Sequence, residues 1–84
     1  MGARKFIPTE LAELLRSDWE ILIREAALFQ QDEMIVRRCL VDKWPLIDAA
    51  IEIGIDRGTV SARLSYLIPR LQAVFEKLHR ADQL

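Results

Sequence analysis

Between positions 57 and 66 the chain carries hydrogen-bonding side chains at Arg57, Thr59, Ser61, Arg63 and Tyr66, within about three helical turns. An arginine can donate two parallel bonds to guanine O6 and N7, serine and threonine reach bases or phosphates, and Ala62 can touch a thymine methyl. Arg57, Gly58 and Thr59 also place backbone N–H groups at a helix start, where phosphate is favoured, and Gly58 leaves that end unobstructed. Catalysis finds no comparable set. His79 is the sole histidine, Cys39 the sole cysteine, and neither has a partner at a recognisable spacing. One histidine and one cysteine make no metal site, and no glycine-rich loop cradles a phosphate. The reading is of a non-enzyme with no cofactor, no metal and no evident small-molecule ligand.

These side chains need a scaffold that holds them outward. A short helix is expected over 45–53, with Pro45 at its first position, and Gly54 ends it. Gly54-Ile55-Asp56 then forms a three-residue turn, Asp56 caps the next helix, and a helix-turn-helix results over 45–67. Ala50 is small where the two helices come closest, and Gly54 permits the positive φ that reverses the chain. Ile55, Val60 and Leu64 point inward, so Arg57, Thr59, Ser61, Ala62, Arg63 and Tyr66 face out. On this view truncating Arg57 or Arg63 leaves the fold intact. Lys43, before the first of the two helices, and Arg70 and Lys77, after the second, are candidate phosphate contacts. Arg70 and Lys77 can equally be plain solvated charges, and Tyr66 can pack on Trp44.

The rest of the chain also reads as helix. Apolar residues recur at i, i+3, i+4, and nothing alternates for long, so the fold class is all-α: a small bundle of about five helices in one domain, 1–84. Thr9 is the expected N-cap of a first helix with Leu11, Leu14 and Leu15 on one face. Ser17 and Glu20 form a capping-box pattern, so a second helix with Trp19, Leu22, Ile23, Ala26 and Ala27 starts there or continues the first. Gln30-Gln31-Asp32 marks a break before a helix over 33–41, in which Arg37 and Arg38 face water and Cys39 is a small buried hydrophobe. Pro69 should stop or bend the outward-facing helix near 67–68, and a separate terminal helix follows over 69–79. Its Leu71, Phe75 and Leu78 form a stripe that either pairs with a second copy or closes the monomer's own core.

Composition sets the limits. With 51% hydrophobic and 30% charged residues in 84, the chain has enough apolar surface for one folded domain. No run approaches the ~18–20 apolar residues of a membrane span, and the basic segment 1–6 lacks a signal's apolar region, so a cytoplasmic protein is expected. The net charge of −1 hides an asymmetry: residues 1–36 carry −3 and residues 37–80 carry +3. One face can therefore be basic in a nearly neutral protein. The acidic first half, with Trp19 and Phe29, offers the alternative of a protein-interaction module.

The run Leu40-Val41-Asp42, Pro45, Gly54-Ile55-Asp56-Arg57-Gly58-Thr59-Val60-Ser61 and Ala73-Val74-Phe75-Glu76 resembles the TrfB/KorA-type repressors of conjugative plasmids and the related ArdK-like regulators. The resemblance covers roughly 33–77, most specifically the R-G-x-V-S core. It implies a repressor that binds a palindromic double-stranded DNA operator as a homodimer, with Arg57, Gly58, Ser61 and their neighbours touching the operator. The family's added C-terminal dimerisation segment is not matched, so a dimer interface would be built differently. The stretch Thr59-Val60-Ser61-Ala62-Arg63-Leu64 also resembles region 4 of sigma factors, which implies promoter binding within the transcription machinery.

Overall fold

The computed structural model describes residues 7–83; the basic N-terminal segment 1–6 and Leu84 lie outside the described residues. It is all-α: five α-helices and one π-helical turn, with no strand among the described residues. α1 (Thr9–Ala12) is a single turn. Pro8, not Thr9, occupies its N-cap, and the Pro8 carbonyl accepts the N–H groups of Leu11 and Ala12, both at 3.0 Å. α2 (Arg16–Ala26) is a separate helix that buries Trp19, Leu22 and Ile23 at i, i+3, i+4. The capping box does not form. Leu15 is the N-cap, Ser17 falls inside the first turn, and the Glu20 carboxylate is drawn instead to Arg37.

The break after α2 comes earlier than the polar residues suggest. Ala27 takes the left-handed conformation (φ 51°), so Gln30-Gln31-Asp32 becomes the first turn of α3 (Gln30–Val36). The chain then widens into the π-helical turn Arg37–Val41, where the Asp42 N–H reaches back five residues to the Arg37 carbonyl at 2.9 Å. Ile35, Val36, Cys39 and Leu40 share one buried face across this change of pitch. Burial raises the Cys39 thiol above its ordinary range, which keeps it protonated and unreactive.

α4 (Leu46–Ile53) begins one residue later than expected, with Pro45 as N-cap. Its Ala49 and Ala50 are buried, small enough to bring α4 close against α5. Gly54 sits at φ 87°, and the N–H groups of Gly54 and Ile55 both donate to the Ala50 carbonyl, at 2.8 and 3.1 Å. That closure ends α4 as a C-terminal glycine does. The Val60 N–H then donates to the Asp56 carbonyl, so Asp56 takes the N-cap position and α5 starts at Arg57.

α5 (Arg57–Gln83) corrects the expectation of two helices separated at Pro69. It is one helix of 27 residues, about 40 Å long by its rise, and its length matches the molecule's 42 Å long axis. Val60, Leu64, Leu67, Ile68 and Leu71 form one buried stripe on both sides of the proline, while Pro69 itself faces solvent. A proline inside a helix costs about 3 kcal/mol. Each fully buried leucine returns about 1.5–3 kcal/mol, so packing across Pro69 outweighs the local preference to stop. α5 lies against α2, α3 and α4, and its core stripe is the spine of the molecule.

Candidate nucleic-acid interface

The tight turn at 54–56 sets how the first turns of α5 are displayed. Val60 and Leu64 are completely buried, and Ile55 packs against the core at its edge, as their spacing implies. Gly58, Thr59, Ala62 and Tyr66 are exposed on the opposite side, Arg57 is exposed as the first residue of α5 but in line with Val60 and Leu64, and Ser61 is half-buried at the border. A Cβ built on Gly58 would meet nothing within 4 Å, so that end of α5 is open. Arg57 has no carboxylate partner among the described residues.

Arg63 departs from expectation. Its Nε donates to Oδ1 of Asp32 at 3.0 Å and its Nη2 to Oδ2 at 2.6 Å, a two-pronged grip on the carboxylate of a residue that is only 5% exposed. The bonded carboxylate raises the Arg63 guanidinium further above its ordinary range, so the group stays ionised. The reason is geometric: α3 packs on α5, and its first turn brings Asp32 within reach of the flank of α5. Arg63 is therefore a tethered side chain, not a free one.

The tether organises what lies beyond it. The Arg63 guanidinium sits 4.7 Å from the Tyr66 ring centre, and the Arg70 guanidinium sits 5.2 Å from the same ring. Arg70 Nη1 also donates to the Tyr66 hydroxyl at 3.1 Å. At i, i+3, i+7 the three residues share one face of α5, with Thr59 a turn before them and Lys77 two turns after. Tyr66 does not pack on Trp44; Arg38 covers the Trp44 ring instead, at 4.8 Å.

The other cations divide into paired and unpaired. Arg37 and Arg38, expected in water, are both engaged. Arg37 bonds Glu20 and Glu33; Arg38 bonds Asp42 and Glu52. Arg16 reaches Asp42 at 3.2 Å. Among the described residues Arg24, Lys43, Arg57, Arg70, Lys77 and Arg80 have no carboxylate partner, and four of these six stand on α5. Most of the unpaired cations thus stand on the long helix, which also carries Glu76, unpaired among the described residues. Lys43 is exposed before α4 in a left-handed conformation (φ 61°), its Nζ 3.5 Å from the Ala12 carbonyl.

The expected dimer stripe is altered by the packing. Leu71 is completely buried in the monomer's core, because it continues the stripe of Leu64 and Leu67, and it is removed from the dimer set. Phe75 and Leu78 are half-buried against the same core, with the Phe75 and His79 rings edge-on at 4.4 Å. Asp32 was the residue that sequence reasoning missed, since its partner lies 31 positions away. Only the i, i+4 pairs Glu33–Arg37 and Arg38–Asp42 left a local signal. A shallow groove between α2 and α3 is lined by Glu20, Arg24, Glu33 and Arg37, but Arg37 there is already held by the two glutamates. No described helix is long and apolar enough to cross a membrane.

With this geometry in view, comparisons with protein-family models, curated proteins and solved structures give no match. The likeness to plasmid repressors therefore rests on the motif residues alone.

Proposed function

We propose that the chain is a sequence-specific DNA-binding regulator that lays the first turns of α5 in the major groove, with α4 and the turn at 54–56 as the supporting half of a helix-turn-helix. One observation carries the reading: Gly58, Thr59, Ala62 and Tyr66 are exposed together on one side of α5 with Arg57 exposed at its first residue, while most unpaired described cations lie on the same helix. A helix offered in this way fits a groove about 12 Å wide and meets phosphates on either side. Arg57 is the base-reading arginine in this scheme, Thr59 and Ala62 are its neighbours at the bases, and Lys43 and Arg70 touch the backbone. The R-G-x-V-S resemblance adds that the regulator is a cytoplasmic repressor of plasmid genes, acting as a homodimer on a palindromic operator. A dimer suits the physics, because one short reading helix makes few base contacts and two copies read successive groove turns.

A second reading, a protein-interaction module, is favoured by Phe29, 83% exposed at the start of α3, and by Ile51, 72% exposed on α4. Selection from a duplex pool with a randomised centre, followed by mobility shift over a salt series, separates the two. The regulator should enrich one site, an inverted repeat if it dimerises, and hold it at salt concentrations that abolish binding to a shuffled duplex. No shift at low salt would overturn DNA binding and leave the interaction module.

A further inference from the structure

We infer that Tyr66 and Arg70 form a phosphate anchor on α5, and that Arg63 is the positioning residue that sets it, held in turn by buried Asp32. The inference rests on the DNA-binding reading and assigns the parts of that surface. Four side chains form a continuous chain from the interior to the solvent. Asp32 is 5% exposed and takes two of the Arg63 N–H groups. Arg63, so fixed, places its guanidinium over the Tyr66 ring, 4.7 Å from the ring centre. Arg70 covers the same ring at 5.2 Å and donates to its hydroxyl at 3.1 Å.

The chemistry at the outer end is that of an anion site. Because the Tyr66 hydroxyl accepts from Arg70, its own hydrogen is free to donate outward. Arg70 keeps further N–H groups and has no carboxylate partner among the described residues. Two donors and one uncompensated positive charge thus converge on a single exposed face. A phosphodiester oxygen accepts from both, and the uncompensated charge of Arg70 favours an anion over a neutral base edge. Arg63 is poorly placed for either job. Its charge is matched by Asp32, so it would release no counterion on meeting a phosphate, and its Nε–Nη2 edge is taken, which leaves only its outer end for another acceptor.

The test uses the full chain and the duplex selected by the wild type, with a mobility-shift salt series and a panel of single-base variants. Arg70→Gln should lower affinity equally on every duplex in the panel and reduce the slope of log affinity against log salt by about 0.9. Tyr66→Phe should weaken binding about three- to tenfold, again uniformly, with the slope unchanged. The double variant Asp32→Asn/Arg63→Gln replaces the ion pair by a neutral one and should weaken binding without changing the slope. Thermal melts report whether it folds; if it does not, the two single variants, both on solvent-facing positions, decide the matter. An unchanged slope in Arg70→Gln, or a loss confined to one base pair in either single variant, would overturn the anchor. A reduced slope in the double variant would put Arg63 on a phosphate, and a loss confined to one base pair would put it on a base; either would overturn its positioning role. Wild-type protein that binds no duplex fails earlier, at the regulatory reading itself.

Discussion

Asp32 and Arg63 do not hold equal shares of the pair they form. The Asp32 side chain is 7% exposed, whereas the Arg63 side chain is 37% exposed. Without Asp32, Arg63 can swing out and be hydrated. Without Arg63, Asp32 is left as a buried charge with its partner gone, which costs the desolvation that pairing had offset. We expect Arg63→Ala to lower stability more than Asp32→Ala does, measured by urea unfolding. The double alanine variant should be more stable than Arg63→Ala alone. Equal single losses would mean that water reaches Asp32 unaided. Gly58 presents the reverse case, a residue the fold does not need. A Cβ there meets nothing within 4 Å, and glycine in a helix is up to about 1 kcal/mol worse than alanine. Gly58→Ala should therefore stabilise the chain by up to that amount while weakening DNA binding, because the added methyl occupies the space where backbone and duplex meet. Unchanged affinity beside raised stability would remove Gly58 from the interface.

At the scale of elements, what could be read beforehand divides by the range of the interaction. The turn at 54–56 was legible because everything it needs is local: a glycine for the positive φ, small alanines beside it and Val60 and Leu64 to seat the next helix. The end of α2 was not, because the left-handed residue is Ala27, a type that gives no turn signal, and the polar run that looked like a break begins α3. Ser17 and Glu20 matched a capping pattern, yet Glu20 was taken by Arg37, 17 positions on. Pro69 is the clearest instance of packing overriding local preference. The buried stripe of α5 continues from Leu67 and Ile68 to Leu71, and the proline stands on the opposite, wet side. Since the helix persists despite it, Pro69→Ala should add about 1–3 kcal/mol in urea unfolding without changing helix content by circular dichroism. A stability loss would show that the proline shapes α5, with the core depending on the bend it imposes.

Across the whole molecule, apolar packing along α5 is supplemented by ion pairs that bind the other elements to one another. Arg37 joins α2 to the π-helical turn through Glu20, Arg16 at the start of α2 reaches Asp42, and Arg38 connects the π-helical turn to Glu52 of α4. These pairs reach solvent, so each is weak and screened by salt, but acid removes them together. The Arg37 hydrogen bond holds the Glu20 carboxyl below its ordinary 4.5, and the Arg38 bond, then Arg16, holds Asp42 below its ordinary 3.8. A carboxyl whose pKa is lower in the folded state than in the unfolded one stabilises the fold above the unfolded value. That contribution diminishes as the pH falls towards the folded value, because the unfolded chain takes up protons first. Urea midpoints should accordingly be level at neutral pH, begin to fall as the pH drops through about 4.5, and fall further below 3.8. Glu20→Gln should flatten the first part of that decline and raise the acid resistance of the protein relative to its own neutral-pH stability. Should the variant fall in parallel with the wild type throughout, the Glu20–Arg37 bridge contributes nothing to holding α2 in place, and its position depends on Trp19, Leu22 and Ile23 alone.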